Sequence, residues 1–237
     1  MHFDHAAFVC AVEEAIVLDP GAQLTRVRGI PYAWPPRGAL RLEDTLLSIL
    51  PGQRVSEVFA ISDKTSFNWK LRELLQPYLV GQDRDLATAV GLWIVCEWGG
   101  IRKGAEAVGG WVNQLGSFNE DQVHNFISQL RMNRIASWSK LLAFANPADH
   151  AIYDARTAVA LNCALANIDA PFRFVMPVSR NKHIALARDF LKRGQHQVLK
   201  YPECLELLTA LAKQSAGGSR LPVEMTVFAN APKVAER

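Results

Sequence analysis

Two side chains in the stretch Arg131 to Leu161, RMNRIASWSKLLAFANPADHAIYDARTAVAL, have complementary chemistry: Lys140 and Asp154. A deprotonated lysine amine attacks electrophilic carbon, and a fixed carboxylate stabilises developing positive charge or activates the attacking group. The pair therefore suits substitution at a sugar carbon. Boundary signals predict the elements that hold them. Pro147 ends the helical segment that carries Lys140, Ala151-Ile152-Tyr153 reads as a short extended link, and Asp154 opens DARTAVALNCALA. Ser137 is the expected cap of the first helix, which puts both residues at helix N-termini, sharing one cleft. Unpaired N–H groups and partial positive charge at a helix end favour a carboxylate or a phosphate and disfavour an ammonium. Taken singly, Asp154 is an ordinary N-cap and Lys140 an ordinary solvated lysine.

The preceding segment changes that balance. DQVHNFISQLRM, from Asp121, has Val123, Phe126, Ile127 and Leu130 on one helical face. Asn133 to Ser139 then reads as a tight reversal, giving the order helix, hairpin, helix, extended link, helix. This arrangement resembles the helix-hairpin-helix DNA glycosylases. Ile135-Ala136-Ser137-Trp138-Ser139-Lys140 matches the end of that family's hairpin, where bifunctional members carry a lysine, and Ile152-Tyr153-Asp154 matches the approach to its aspartate. The match covers Arg131 to Leu161, and the motif with its following helix spans residues 121–165. The family's hairpin usually carries Gly-x-Gly, whose backbone amides hold a DNA phosphate. This chain has Ala136, Ser137, Trp138 and Ser139 there, with serine hydroxyls as partial substitutes, and a shorter interval between lysine and aspartate.

The resemblance implies an all-α, two-lobed fold in which residues 1–237 form a single catalytic unit. It also implies a DNA glycosylase that flips a nucleotide from duplex DNA and excises a modified base, leaving an abasic site. Asp154 would stabilise the sugar cation or orient the nucleophile. Lys140 would either attack C1′ and form a Schiff base, which adds strand-nicking lyase activity, or neutralise a phosphate. The chain is similar in size and character to the divergent Brig-type phage-defence glycosylases, which remove glucosylated hydroxymethylcytosine. Repair of oxidised guanine is the alternative activity. A non-catalytic DNA-binding helical module, with Asp154 only a cap, and an interaction protein without DNA affinity are the other classes.

Several further residues are candidates for DNA contact. Arg102 and Lys103 follow Gly99-Gly100 at a helix start, and Arg180, Lys182 and His183 surround the head of another helix with Ser179 as its expected cap. Both groups also describe ordinary solvated surface. Trp98, Trp111 and Tyr153 are candidates to stack on an extruded base, against the alternative that they are core.

Composition sets outer bounds. With 237 residues, 49% apolar, the chain can bury one sizeable core or two small lobes. A formal charge of +3 leaves DNA affinity to a local patch. Cys10, Cys96, Cys163 and Cys204 lie far apart without a Cys-x-x-Cys pair, so neither a zinc site nor an iron–sulfur cluster, and no other cofactor, is expected. No secretion signal or membrane span is read, which predicts a cytoplasmic protein without a membrane partner. Helical patterns run over the first eighteen residues, then Leu42 to Leu50, Phe67 to Leu79 and Arg84 to Trp98, the last apolar on nearly every face and expected to be central. Gly29 to Pro36 reads as a stiff aromatic connector, a helix runs through Cys204 to Ala212, and a Gly217-Gly218 linker precedes a short apolar run from Val223 to Phe228.

Overall fold

The computed structural model describes residues 26–27, 30–31, 39–116, 118–179, 181–214 and 220–234. The chain divides into two compact units, Ala33–His150 and Met1–Tyr32 with Ala151–Arg237. The described residues are mostly helical, with only short strand pairs, so the fold is all-α. The expected helix over the first eighteen residues, most of the Gly29 to Pro36 connector and the Gly217-Gly218 linker lie outside the described residues.

In the Ala33–His150 unit the helices are α1 Ala39–Leu47, α2 Gln53–Phe59, α3 Lys64–Leu79, α4 Arg84–Leu92, α5 Val108–Leu115, α6 Glu120–Leu130 and α7 Ile135–Ala145. Local chemistry starts several of them. Asp63 accepts from the Ser66 amide at 2.7 Å, Asp83 from Leu86 at 3.0 Å and Asn119 from Gln122 at 2.8 Å, each satisfying an amide that its helix leaves unpaired. The run from Arg84 to Trp98 is central, as its all-round apolar pattern predicts: Ala87, Val90, Trp93, Ile94, Val95 and Trp98 are buried. It is not one regular helix, because α4 loosens into a π-helical segment, Trp93–Trp98. Gly91 permits the close crossing of α5, since a β-carbon there would stand 2.7 Å from Val112 Cγ2. Trp98 packs edge-on against Phe144 with ring centroids 5.1 Å apart and donates to Asn68 Oδ1 at 3.2 Å, which joins the π-helical segment to α3 and α7.

In the second unit β1 Arg26–Val27 pairs antiparallel with β2 Ile30–Pro31. Then come α8 Ala155–Asn167, β3 Phe172–Phe174, α9 Lys182–Leu191, β4 Gln197–Leu199, α10 Tyr201–Gln214 and α11 Arg220–Val234. β3 and β4 run parallel, with Phe172 opposite Gln197 and Phe174 opposite Leu199, so α9 is their crossover. α8 is the centre of this unit and packs on α11 and α9. Asn162, fully buried on α8, fixes β3 by donating to Phe174 O at 2.9 Å and accepting from Phe174 N at 2.7 Å. The Val223 to Phe228 run proves to be the middle of a longer helix. Pro222 falls in its first turn, where a missing N–H leaves no bond unmade.

Candidate active site

Asp154 occupies the N-cap of α8. Its Oδ1 accepts from Arg156 N at 2.8 Å and Thr157 N at 3.1 Å. Among the described residues both bonds fall on the same oxygen, which leaves Oδ2 to meet another group. The approach to Asp154 is fixed more firmly than a cap alone requires. Ala151, Ile152 and Tyr153 are buried, and Tyr201 holds Ala151 by both backbone groups, donating to its carbonyl at 2.8 Å and accepting from its amide at 3.3 Å. Tyr153 donates to Val175 O at 2.6 Å, and burial pushes its phenol well above the ordinary tyrosine range, so it stays a donor. Arg156, two residues on, lies over the Phe228 ring at 4.8 Å and is held against α11. Tyr201 is a positioning residue that the sequence does not reveal, since nothing in its neighbourhood points fifty positions back along the chain.

Lys140 differs from its expected placement. α7 starts at Ile135, so Ser137 lies inside the helix rather than capping it, and Lys140 is in its interior, away from the N-terminus. The reversal is Arg131 to Arg134, earlier than the expected Asn133 to Ser139. Arg134 takes a left-handed conformation (φ 53°) and Arg131 also has positive φ (49°). Glycines would favour these conformations, and two arginines adopt them here. The Lys140 side chain is 4% exposed, its Nζ donates to Ala136 O at 2.6 Å, and it crosses Gly99, where a β-carbon would come within 2.8 Å of Cε. Gly99 is thus a second positioning residue that the sequence conceals. Its only signal there is the Gly-Gly pair, which reads as a helix stop. Lys140 belongs to the Ala33–His150 unit and Asp154 to the other.

The same shift corrects the hairpin contacts. Ser137 and Ser139 are buried within α7, so their hydroxyls do not form an exposed phosphate-binding turn. Arg102 and Lys103 are exposed, as contact with a phosphate requires. The loop that carries them is joined to the reversal, because Arg134 Nη1 donates to Gly104 O at 3.2 Å and lies 3.4 Å from Glu106 Oε1, while Arg102 lies 3.6 Å from Glu97. This brings Arg102, Lys103, Arg131 and Arg134 onto one pair of adjoining turns. In the sequence Arg131 and Arg134 look like no more than the end of a helix.

The aromatic candidates are core side chains. Trp98 and Trp111 are buried in the Ala33–His150 unit and Tyr153 is fully buried in the other, so the ring faces that would stack on a base are covered. Lys182 is exposed in the first turn of α9, whose cap is Asn181 rather than Ser179: Asn181 Oδ1 accepts from His183 N at 3.0 Å and Ile184 N at 3.2 Å. Ser179 Oγ instead accepts from Asn181 N at 3.1 Å. Arg180 and Cys10 lie outside the described residues.

Cys96, Cys163 and Cys204 are free thiols. Burial raises the Cys163 thiol to about 11, with nearby Arg173 opposing, and pushes Cys204 further in the same direction. Among the described residues no group of three or more His, Cys, Asp or Glu could hold a metal ion, and no helix is long and apolar enough to cross a membrane. No family model, curated protein or solved structure matches the chain.

Proposed function

We propose that this protein is a DNA N-glycosylase of the helix-hairpin-helix type, cytoplasmic, acting on a modified base in duplex DNA and leaving an abasic site. One observation carries the reading: the carboxylate at the head of α8 has both amide bonds on Oδ1 and sits on a link clamped by Tyr201 and Tyr153. A carboxylate held so firmly needs no reorganisation when positive charge develops on a deoxyribose, and that preorganisation is how electrostatic catalysis works. The cations on the adjoining turns, Arg102, Lys103, Arg131 and Arg134, supply backbone phosphate contacts in place of the glycine hairpin.

Lys140 is the amine of the coupled lyase step. The feature that suits it to this is burial rather than a helix end, since Schiff-base lysines are desolvated ones. Its amine must leave Ala136 O before it can attack C1′. The substrate we favour is glucosylated hydroxymethylcytosine, which would place the protein in defence against phage carrying that base.

The test incubates purified protein with DNA bearing glucosylated hydroxymethylcytosine, oxidised guanine or no modification, and counts abasic sites by alkaline cleavage. The expected result is excision from the glucosylated DNA, lost in Asp154→Asn, with a borohydride-trapped adduct lost in Lys140→Met. Excision of oxidised guanine alone would move the function to repair. Salt-sensitive binding with no abasic sites on any DNA would reduce the protein to a binding module and Asp154 to a cap.

A further inference from the structure

The charge of this chain is unevenly distributed. Residues 181–200 hold Lys182, Arg188, Lys192, Arg193 and Lys200 against one acid, Asp189, a formal +4 within a chain whose total is +3. The rest of the molecule therefore has a net charge of −1. The same stretch exposes three large apolar side chains of the second unit, which elsewhere exposes Val178 and Ile168. Leu186 is 69% exposed, Phe190 66% and Val198 56%. Lys182, Leu186 and Phe190 are four residues apart along α9 and so lie on one face of it, while Ile184, Ala187 and Leu191 bury the opposite face.

The C-terminal end of α9 borders a cleft of about 270 Å³ lined by Arg173, Met176, Leu191, Lys192, His196 and Val198, among others. None of the residues lining it is acidic. Arg193, beside Lys192, has its guanidinium 5.6 Å from the centroid of the Phe190 ring. His196 is held in place: its Nε2 lies 2.7 Å from Arg193 O, which can only accept, and its ring packs on Gly194, where a β-carbon would stand 3.3 Å from Nε2. Gly194 has φ +92°, a conformation that also favours glycine. Arg173 donates through Nη1 to Ala170 O and Phe172 O, and its buried Nε has no partner among the described residues.

Alternating cations with exposed apolar side chains is the chemistry of a surface that takes phosphates and unstacked bases together. Double-stranded DNA offers its phosphates but hides its base faces. A single strand offers both, and an exposed ring gives any base a stacking surface. We infer that the α9 face with the adjoining cleft is a contact surface for single-stranded DNA, with Lys192, Arg193 and Arg173 taking backbone phosphates and Phe190 stacking on a base. It rests on the proposed action on DNA and extends it, because a glycosylase that unpairs a nucleotide creates a local single strand for such a surface to hold.

The experiment measures anisotropy of a labelled unmodified oligonucleotide, single-stranded or annealed, at several salt concentrations. The parent protein should bind the single strand more tightly than the duplex. Phe190→Ala should weaken single-strand binding about fivefold or more and leave the duplex nearly unaffected. Lys192→Ala with Arg193→Ala should reduce the slope of log affinity against log salt by about 0.7 for each phosphate that is no longer neutralised. Lys70→Ala, an exposed cation of the other unit, should change neither. All the substituted side chains are exposed, and thermal melts will confirm that the variants fold. Unchanged binding in Phe190→Ala and in the double variant overturns the inference, and so does Phe190-dependent binding to phosphatidylserine vesicles without binding to DNA. Asp154→Asn should bind the strand as the parent does. Failure of the excision chemistry and failure of this surface are therefore separately readable: absent abasic sites sink the glycosylase, and indifferent binding sinks the surface.

Discussion

The head of α8 and the interior of α7 hold their polar side chains in opposite ways. Asp154 sits half-buried at a helix end, bonded to two amides through one oxygen, on a link clamped by two tyrosines. Lys140 is buried, bonded to the carbonyl one turn back and laid across Gly99. A carboxylate of the first kind can act where it stands. An amine of the second kind must first change rotamer and break a hydrogen bond. On the proposed reading, excision by water needs the carboxylate, and strand nicking needs the amine, which condenses with C1′ of the abasic sugar, so the two steps should respond to different substitutions.

The largest effect is expected at Asp154. Asp154→Asn keeps a capping oxygen and removes the charge, so single-turnover excision should fall about 10²- to 10³-fold while stability changes by only a few tenths of a kcal/mol. Excision within a factor of about three of the parent, roughly 0.6 kcal/mol, would show that the charge does nothing catalytic. Lys140→Met is the matching change in the other region. It keeps the length of the chain and removes a buried cation, so borohydride trapping should vanish while stability moves by less than about 1.5 kcal/mol. If excision also vanished at preserved folding, the two steps would not be separable in this way.

Cys163 tests whether burial alone, away from a helix head, governs titration. It lies on α8 with Asp154 but within the packed part of the helix, and its thiol is raised to about 11 chiefly by burial. The folded protein then retains a proton that the unfolded chain releases above about pH 9. The stabilisation is complete below that pH and is lost as pH rises through the folded value, with a span of about 2–3 kcal/mol. Urea unfolding across that window should show a falling stability in the parent and a flatter one in Cys163→Ala. Cys204 and Tyr153 are raised by burial too and begin to act in the same window, where the unfolded chain releases their protons, so the slope in Cys163→Ala should be reduced and not abolished.

Gly99 tests the enclosure of Lys140 from outside. Gly99→Ala would place a methyl 2.8 Å from Lys140 Cε and 2.7 Å from Val95 O, and the lysine tip can yield where the backbone cannot. A loss of about 1–3 kcal/mol is expected, with trapping reduced more than excision. Equal loss of both activities would mean that the enclosure of Lys140 has no bearing on its chemistry.

These two regions also show what the sequence could disclose. The position of Asp154 is local information: an aspartate three residues after a buried alanine, following a proline stop, is read correctly because the cap bonds reach only to Arg156 and Thr157. The spacing of Val123 and Phe126 likewise gives the buried face of α6. The start of α7 is non-local. It depends on Arg134 adopting a left-handed conformation while its guanidinium bonds Gly104, thirty positions away, and on Trp138 donating to Asn133 O at 2.8 Å. No capping side chain marks that start, so the serines nearest Lys140 resemble caps in the sequence and are buried in the helix instead. Tyr201 and Gly99 are illegible for the same reason, because each acts on a residue brought close only by folding.

The smallest effect separates a cap from a site. Asp154→Ala removes both amide bonds and should cost about 1–2 kcal/mol in chemical unfolding, somewhat more than Asp83→Ala, whose exposed carboxylate serves one amide, at about 1 kcal/mol. Stability alone therefore ranks the two aspartates as similar caps. Their activities should diverge completely: Asp83→Ala excises as the parent does, while Asp154→Ala loses the activity that Asp154→Asn also loses at intact stability. If excision in these variants instead followed unfolding free energy, with Asp154→Asn behaving like the parent, the head of α8 would be no more than the other helix starts of this molecule are.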